Sequence, residues 1–207
     1  MKIDSPNILA DLPERRTLPQ EDEHEDFLLA GMDLSGEDLR GQEFRGCVLR
    51  KVNFSNADLR RCAFVDVVFD HCDLSGCKMD DAVCQRVRFD GCRMTGADMV
   101  HNVLRNTAFT DCRMDYLNLT RTKTDRVNVT GCLLREAALV ECQLQKIDLD
   151  DCDLTRATIH MTPMKGIDLR TCRMEQLTIG LMDVRGMTVN SLQAVALSSL
   201  LGIIVKE

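Results

Sequence analysis

A five-residue period in the apolar residues constrains the fold of this chain more than any other feature. From Leu29 to Val189 in steps of five, 32 of 33 positions are apolar, and the exception is Thr124. No insertion interrupts the series. An amphipathic helix repeats every 3.6 residues and a strand every two, so neither element produces this pattern. The period therefore predicts an internally repetitive structure.

A second row of small or apolar residues lies two positions before the first. From Met32 to Met187, 26 of its 32 positions are apolar, and the row holds ten of the eleven cysteines. The other three positions of each five are mostly polar, and ten of the twelve glycines occupy the same one of them. We therefore expect two positions of each five to face inward and three to face outward.

The cysteines are predicted to be core residues. A free cysteine behaves as a small hydrophobic residue. Six of them recur at intervals of twenty residues, namely Cys72, Cys92, Cys112, Cys132, Cys152 and Cys172. Zinc sites use spacings such as C-x-x-C, and the parallel Cβ vectors of stacked residues aim the sulfurs badly for a disulfide. A metal site and a disulfide are therefore the weaker alternatives.

Several stretches of the sequence resemble the pentapeptide-repeat family, among them ADLRR at 57–61, CDLSG at 72–76 and CDLTR at 152–156. The resemblance covers residues 27–190. It implies an all-β fold, a right-handed quadrilateral parallel β-helix in which four repeats make one square coil of twenty residues. With coils stacked about 4.8 Å apart, this segment predicts about eight coils and a rod on the order of 40 Å long.

The composition divides the chain into three segments. Residues 1–26 contain three prolines and eight acidic residues against three basic ones, which predicts an acidic and mostly flexible N-terminal arm. Residues 27–190 form the β-helix. Residues 191–207 are predicted to contain a short C-terminal α-helix, capped by Ser191 and ended by Gly202, and a tail.

The C-terminal helix is apolar around much of its surface, more than an exposed helix tolerates. Its apolar residues are expected to cover the open end of the last coil, to join two copies of the chain, or both. These candidate cap and dimer residues are Leu192, Val195, Ala196, Leu200 and Leu201.

The same end resembles the C-terminal segment of the Qnr-type quinolone-resistance proteins. The similar residues are Gln193-Ala194, Leu197 and Leu201-Gly202-Ile203. The resemblance implies a tail-to-tail homodimer and a protein partner, DNA gyrase or topoisomerase IV, with the rod acting as a mimic of duplex DNA. Gram-negative members carry loops that interrupt their coils, and the unbroken repeat here contains no residues that correspond to those loops.

The charge distribution bears on the mimic hypothesis. Of the net −7, the first 26 residues hold −5, which leaves −2 for the other 181. Duplex DNA carries one charge per about 1.7 Å of axis, so the coils do not match it uniformly. One face is nevertheless predicted to be acidic, and the face before it basic. The candidate acidic interaction face carries Asp70, Asp90, Asp111, Asp148, Asp150, Asp151 and Asp168.

The sequence contains no pattern typical of an enzyme. The four histidines are scattered, no Gly-rich phosphate loop occurs, and no nucleophile has an evident base. We expect no cofactor and no metal. Direct nucleic-acid binding is not expected either, because the chain has no Trp and a single tyrosine, Tyr116, for base stacking.

The remaining features predict a cytoplasmic protein that does not enter a membrane. No run of eighteen apolar residues is present, the first residues lack a secretory signal, and an odd number of cysteines fits a reducing compartment. Two hypotheses follow. The first is a topoisomerase-binding protein that competes with DNA or protects the enzyme from inhibitors, and that binds through acidic rows on a tail-to-tail dimer. The second is a scaffold or adaptor that binds another protein, with the acidic arm as a candidate contact and the rod as a rigid spacer.

Overall fold

The computed structural model describes residues 1–18 and 21–206 and is a parallel β-solenoid of about eight turns with a short C-terminal helix. From residue 23 onward the paired strand residues are twenty positions apart, as Leu49 is from Phe69 and Phe69 from Phe89. The family resemblance implied this coil length, and the register confirms it. Backbone hydrogen bonds between successive coils therefore hold identical repeat positions in columns.

Thirteen strands are present in the described residues. The longest, of eight residues, cover two neighbouring faces of a coil and the corner between them. In chain order the strands are β1 (Glu14–Arg15), β2 (Glu23–Glu25), β3 (Leu28–Ala30), β4 (Glu43–Arg45), β5 (Val48–Arg50), β6 (Ala63–Asp70), β7 (Val83–Asp90), β8 (Val103–Thr110), β9 (Lys123–Thr130), β10 (Ala138–Val140), β11 (Gln143–Asp150), β12 (Thr158–His160) and β13 (Thr178–Ile179).

The corners of the coils explain why the glycines share one repeat position. Gly131 has a φ of 65°, and the residues above and below it, Asp111 and Asp151, have φ values of 52° and 50°. Glycine adopts this left-handed conformation readily, whereas a side chain is disfavoured there. Among the described residues, twenty-one other than glycine nevertheless adopt positive φ, all at this same position. The repetitive turn therefore imposes a conformation that the local sequence only partly favours.

The interior is a stack of apolar columns, as predicted. The rings of Phe69 and Phe89 lie 4.7 Å apart with an interplanar angle of 8°, and those of Phe89 and Phe109 lie 4.8 Å apart at 3°. These separations equal the spacing of the strands that carry the rings. The coil register therefore dictates aromatic stacking along the axis.

All eleven cysteines are buried with free thiols. For eight of the ten cysteines in the row of small residues, the thiol donates to a carbonyl of the preceding coil, as from Cys72 Sγ to Leu49 O at 3.1 Å. Thr122 and Thr162 donate in the same way, to Met99 O at 2.7 Å and to Leu139 O at 3.0 Å. This shared hydrogen bond explains why threonine replaces cysteine in this row.

Burial also affects the acidity of the thiols. It raises the pKa of both Cys62 and Cys84 to about 12. Since a thiolate is the reactive and metal-binding form of cysteine, these protonated thiols act as packing residues, in agreement with the prediction.

The last coil departs from the repeat. Residues 181–186 form turns, and Met182, which the five-residue count places inward, is 65% exposed. A backbone hydrogen bond from Asp183 N to Gly180 O, 2.9 Å long, closes a tight turn that puts Met182 on the outside. Assigning Met182 to the interior is therefore wrong.

The C-terminal segment contains α1 (Ser191–Leu197), followed by a 3₁₀ turn over Ser198–Leu201. The N-cap is Asn190, so the prediction of Ser191 is wrong by one residue. Asn190 Oδ1 accepts from Gln193 N at 3.0 Å, and Gln193 Oε1 accepts from Asn190 N at 2.8 Å, a reciprocal capping box. Gly202 ends the helical segment with a φ of 71°, as predicted. Among the described residues no helix has the length and apolar character needed to cross a bilayer.

Candidate interaction surfaces

The seven aspartates of the acidic face lie on one face of the solenoid and its adjoining corner. They flank the buried column that runs from Leu49 to Leu169, and the strand register aligns them from coil to coil. By column they are Asp148 and Asp168, then Asp70, Asp90 and Asp150, and at the corner Asp111 and Asp151. The structure thus brings the predicted residues onto one surface.

Basic groups of the same chain pair with four of the seven aspartates, two towards each end of the face. Arginine nitrogens lie 2.8 Å from Asp70, 3.1 Å from Asp90 and 2.7 Å from Asp168; the arginines are Arg50, Arg88 and Arg170. The hydrogen bond from His71 and the one from Arg50 hold the pKa of Asp70 below its ordinary value. The amino group of Met1 lies 2.7 Å from Asp148 Oδ2. Four of the seven carboxylates therefore form ion pairs with basic groups of the same chain.

Asp111, Asp150 and Asp151 are the remaining three, and all are exposed. Within residues 1–18 and 21–206 none of them forms an ion pair with a basic side chain. Thr171 Oγ1 donates to Asp150 Oδ1 at 2.9 Å, a neutral contact that leaves the charge in place. Two of the three carboxylates without a basic partner, Asp150 and Asp151, therefore lie side by side in the C-terminal half of the face, and Asp111 lies two coils before Asp151.

The N-terminal arm lies against the solenoid, and residues 1–7 run along its axis. The arm contacts Asp66, Asn106 and Asn128, and we call these three side chains, with the arginines Arg86 and Arg126 that hydrogen-bond to the first two, the axial ladder. The backbone N–H of Asn7 donates to Asp66 Oδ1 at 2.8 Å, and Asn128 Nδ2 donates to Met1 O at 2.8 Å. Sequence reasoning did not find this surface, because its contacts join residues about 60 to 130 positions apart.

The C-terminal end divides into a buried and an exposed part. Gln193 Nε2 donates to Leu169 O and to Cys172 O, both at 2.8 Å, and so covers backbone groups at the open edge of the last coil. Leu197 and Leu200 are half-buried against the core.

The other predicted residues of this end face solvent. Leu192 is 81% exposed, Val195 50% and Leu201 64%, and Ala196 is also exposed. A hollow of about 290 Å³ separates the last coil from the helix and is lined almost entirely by apolar side chains. The cap therefore rests on Gln193, Leu197 and Leu200, and the exposed residues form a separate apolar surface.

Comparison with protein families agrees with the coil geometry. The family description "Pentapeptide repeat region" matches residues 82–159, and "Pentapeptide repeats (8 copies)" matches residues 28–61, together more than half of the chain. The chain belongs to the pentapeptide-repeat family. A search of curated proteins finds no match.

Solved structures of other family members show low sequence identity to this pentapeptide-repeat protein and low TM-scores. A trypsin-treated QnrB1, described as a plasmid-mediated fluoroquinolone resistance protein, is 23% identical, with 94% of this chain and 97% of that chain covered and a TM-score of 0.34. HetL from Nostoc sp. strain PCC 7120, described as involved in heterocyst differentiation regulation, is 16% identical over 80% and 86%, with a TM-score of 0.34. A thylakoid-lumen member from Arabidopsis thaliana is 22% identical over 66% and 68%, with a TM-score of 0.23.

His24 is a core residue of this pentapeptide-repeat protein that sequence analysis assigned to the arm. Its side chain is fully buried, its ring lies 4.6 Å from that of Phe44, and Nε2 lies 3.0 Å from Gln42 Oε1. Burial lowers the pKa of His24. His24 lies five residues before Leu29, so the five-residue period extends to it and indicates an inward position. The polarity of the histidine side chain concealed this indication. The flexibility of residues 1–26 stays a prediction.

Proposed function

We propose that this protein is a non-enzymatic, protein-binding rod that forms a tail-to-tail homodimer in the cytoplasm and presents its acidic face to a basic partner surface. The observation that carries the proposal is the exposed cluster of Asp111, Asp150 and Asp151, which lacks basic partners among the described residues. Carboxylates held in register on a rigid scaffold attract a basic surface and orient it.

The filled interior favours binding over catalysis. Stacked apolar side chains occupy the axis of the rod, and the interior hollow in the described coils has a volume of about 30 Å³, the space of roughly one small group. Ligand sites are usually concave clefts of about 300–1,000 Å³ that bury most of the ligand. The outer surface is therefore the part of the molecule suited to recognition.

A type II topoisomerase is the first partner to test. The reason for this choice is a similarity to the tail of Qnr-type proteins, carried by Gln193-Ala194, Leu197 and Leu201-Gly202-Ile203. Three unpaired carboxylates within about two coils are fewer than the roughly six charges that DNA carries over 10 Å. We therefore propose a local acidic contact with the enzyme rather than imitation of DNA along the whole rod.

A gyrase supercoiling assay, with and without a quinolone, tests this partner. We expect inhibition or protection that weakens with salt, and loss of the effect in the triple variant Asp111→Asn/Asp150→Asn/Asp151→Asn. The matched control Glu37→Gln/Asp81→Asn/Glu175→Gln removes the same charge from other exposed positions and should retain the effect. No effect of the wild-type protein, together with no pull-down of gyrase at low salt, contradicts the topoisomerase proposal.

The alternative is a scaffold or adaptor with a different protein partner, which the continuous rigid rod also suits. Under this alternative the supercoiling assay shows no change, whereas the acidic cluster still determines which protein is retained. The supercoiling assay therefore distinguishes the two hypotheses, and the triple variant with its matched control tests the acidic cluster under either one.

The dimer is tested at the exposed C-terminal surface. Introducing charge at Leu192→Glu and Leu201→Glu should give a monomer by light scattering, because both side chains are more than half exposed and make little contribution to the cap. Leu9→Glu, at the other end and 54% exposed, is the matched control and should leave the mass unchanged. An unchanged mass for the double variant at micromolar concentration contradicts the tail-to-tail dimer.

A further inference from the structure

The N-terminal arm meets the axial ladder in an arrangement that repeats every two coils. Asn7 N donates to Asp66 Oδ1 at 2.8 Å, and Asp4 N donates to Asn106 Oδ1 at 3.4 Å. The two acceptors are forty residues apart, which is two coils, and the two donors are three residues apart. The same kind of contact therefore occurs twice. The two contacts are separated by three residues along the arm and by two coils along the rod.

These two steps have the same length. Three residues of extended chain span about 10 Å at 3.3 Å per residue, and two coils span about 9.6 Å at 4.8 Å per coil. An extended peptide laid along the axis consequently meets an equivalent position of the solenoid at every third residue. Few side chains are needed to hold such a peptide in register.

Each acceptor of the ladder is fixed by an arginine from the next coil. Arg86 Nε and Nη2 donate to the two carboxylate oxygens of Asp66, both at 2.6 Å, and Arg126 Nε donates to Asn106 Oδ1 at 2.8 Å. A carbonyl or carboxylate oxygen has two lone pairs. The arginine uses one and orients the oxygen, and the second accepts the backbone N–H of the peptide. The pairs Asp66–Arg86 and Asn106–Arg126 are thus two copies of one recognition unit.

Side-chain amides add contacts of a different kind. Asn106 Nδ2 donates to Asp4 Oδ2 at 3.1 Å, and Asn128 Nδ2 donates to Met1 O at 2.8 Å. Asp66 and Asn106 are only 8% and 7% exposed although they lie at corners of the coil, where Asp111 is exposed. The arm therefore shields polar groups that are already positioned for hydrogen bonding.

We propose that the axial ladder is a binding surface for an extended peptide and that the chain's own N-terminal arm occupies it. The partner it fits is an extended protein segment that carries an aspartate in the place of Asp4. Backbone N–H groups three residues apart are bound regardless of sequence, and the carboxylate contact with Asn106 supplies selectivity. A tethered arm acts at a high effective concentration, so a partner segment binds fully only when the arm is displaced.

The side-chain amide signals of Asn106 and Asn128 in ¹⁵N NMR spectra test this proposal directly. The released variant Asp4→Ala/Asn7→Pro loses the carboxylate and one N–H donor, and both amide signals should shift. The matched control Asp11→Ala/Ala10→Pro makes the same two types of change at exposed residues of the arm, and its signals should stay at the wild-type positions. Unshifted signals in the released variant overturn the docking of the arm.

A synthetic peptide of the sequence MKIDSPNILADL, residues 1–12, then replaces the missing contact in trans. In the released variant it should return both amide signals toward their wild-type positions, and the wild-type protein should need at least about tenfold more peptide for any response. The peptide with Asp4→Ala and Asn7→Pro should have no effect. Absence of binding at millimolar peptide, or equal binding of both peptides, overturns the proposal, and neither outcome depends on gyrase or on the acidic face.

Discussion

Two successive parts of the solenoid share one backbone register and fill their interiors differently. In the stacked segment, residues 63–110, Phe69, Phe89 and Phe109 form a continuous column of parallel rings. In the relaxed segment, residues 123–150, the same column continues with Val129 and Leu149. A cavity of about 30 Å³ lies where the rings end.

The difference separates what fixes the fold from what stabilises it. β8 pairs with β9, and β9 with β11, in the same twenty-residue register that joins β6 to β7. The backbone ladder therefore does not require aromatic rings or complete filling. Side-chain packing instead decides how much each coil contributes to the free energy of unfolding, because atoms that line a void lack contact partners on that side.

The largest expected effect is the removal of a ring from the stacked segment. Phe89→Ala should lower the free energy of unfolding by about 3–5 kcal/mol, because Phe89 is fully buried between two parallel rings. Val129→Ala in the relaxed segment removes fewer atoms and should cost about 2 kcal/mol. Urea unfolding followed by circular dichroism measures both, and equal losses would contradict the distinction between the two segments.

The two cysteine environments of the stacked segment should respond differently to serine. Cys92 Sγ donates to Phe69 O at 3.3 Å, and a hydroxyl can make the same bond, as Thr122 does. Cys84 lies at a central position without such a bond among the described residues. We expect Cys84→Ser to cost about 1–3 kcal/mol for an unsatisfied hydroxyl and Cys92→Ser less than half of that. A larger loss for Cys92→Ser in the same urea experiment would show that the carbonyl bond does not stabilise this row.

The aromatic stacking on the side of the N-terminus ends in a titratable ring. His24 lies on Phe44, which in turn stacks on Phe64 at 5.4 Å. Burial lowers the pKa of His24 below 6.5, and Arg15 adds to this, while the Gln42 hydrogen bond, Glu21 and Asp22 oppose it. The unfolded chain therefore binds the proton more tightly than the folded one. The contribution of His24 to the free energy of unfolding should be constant well above pH 6.5, and it should decrease as the pH falls from about 6.5 toward the lower pKa of the folded state.

The comparison of wild type with His24→Phe isolates this effect. Phenylalanine continues the stack and does not titrate, so the difference in unfolding free energy between the two proteins should grow as the pH falls from 7 to 5. A difference that is independent of pH over this range would contradict a buried neutral His24.

Much of this architecture was predictable because it rests on a short period. The row from Leu29 to Val189 gave the inward positions, and the shared glycine position indicated the corner. The ends were less predictable for physical reasons. Met182 faces outward because a tight turn interrupts the last coil, and Asn190 rather than Ser191 caps the helix because Gln193 reaches back to it. The docking of the arm depends on distant contacts that no local pattern encodes.

The smallest effect tests the relaxed segment by filling it. Val127→Leu adds one methylene group next to the cavity of about 30 Å³ and should raise the free energy of unfolding by about 0.7 kcal/mol, at about 24 cal/mol per Å³ of cavity. The matched control is Val87→Leu in the stacked segment, because Val87 is fully buried in the same column two coils earlier. Overpacking there should cost about 1–3 kcal/mol. Opposite signs for the same substitution would show that the two segments differ in packing density and not in backbone geometry, whereas two losses would mean that the relaxed segment is already full.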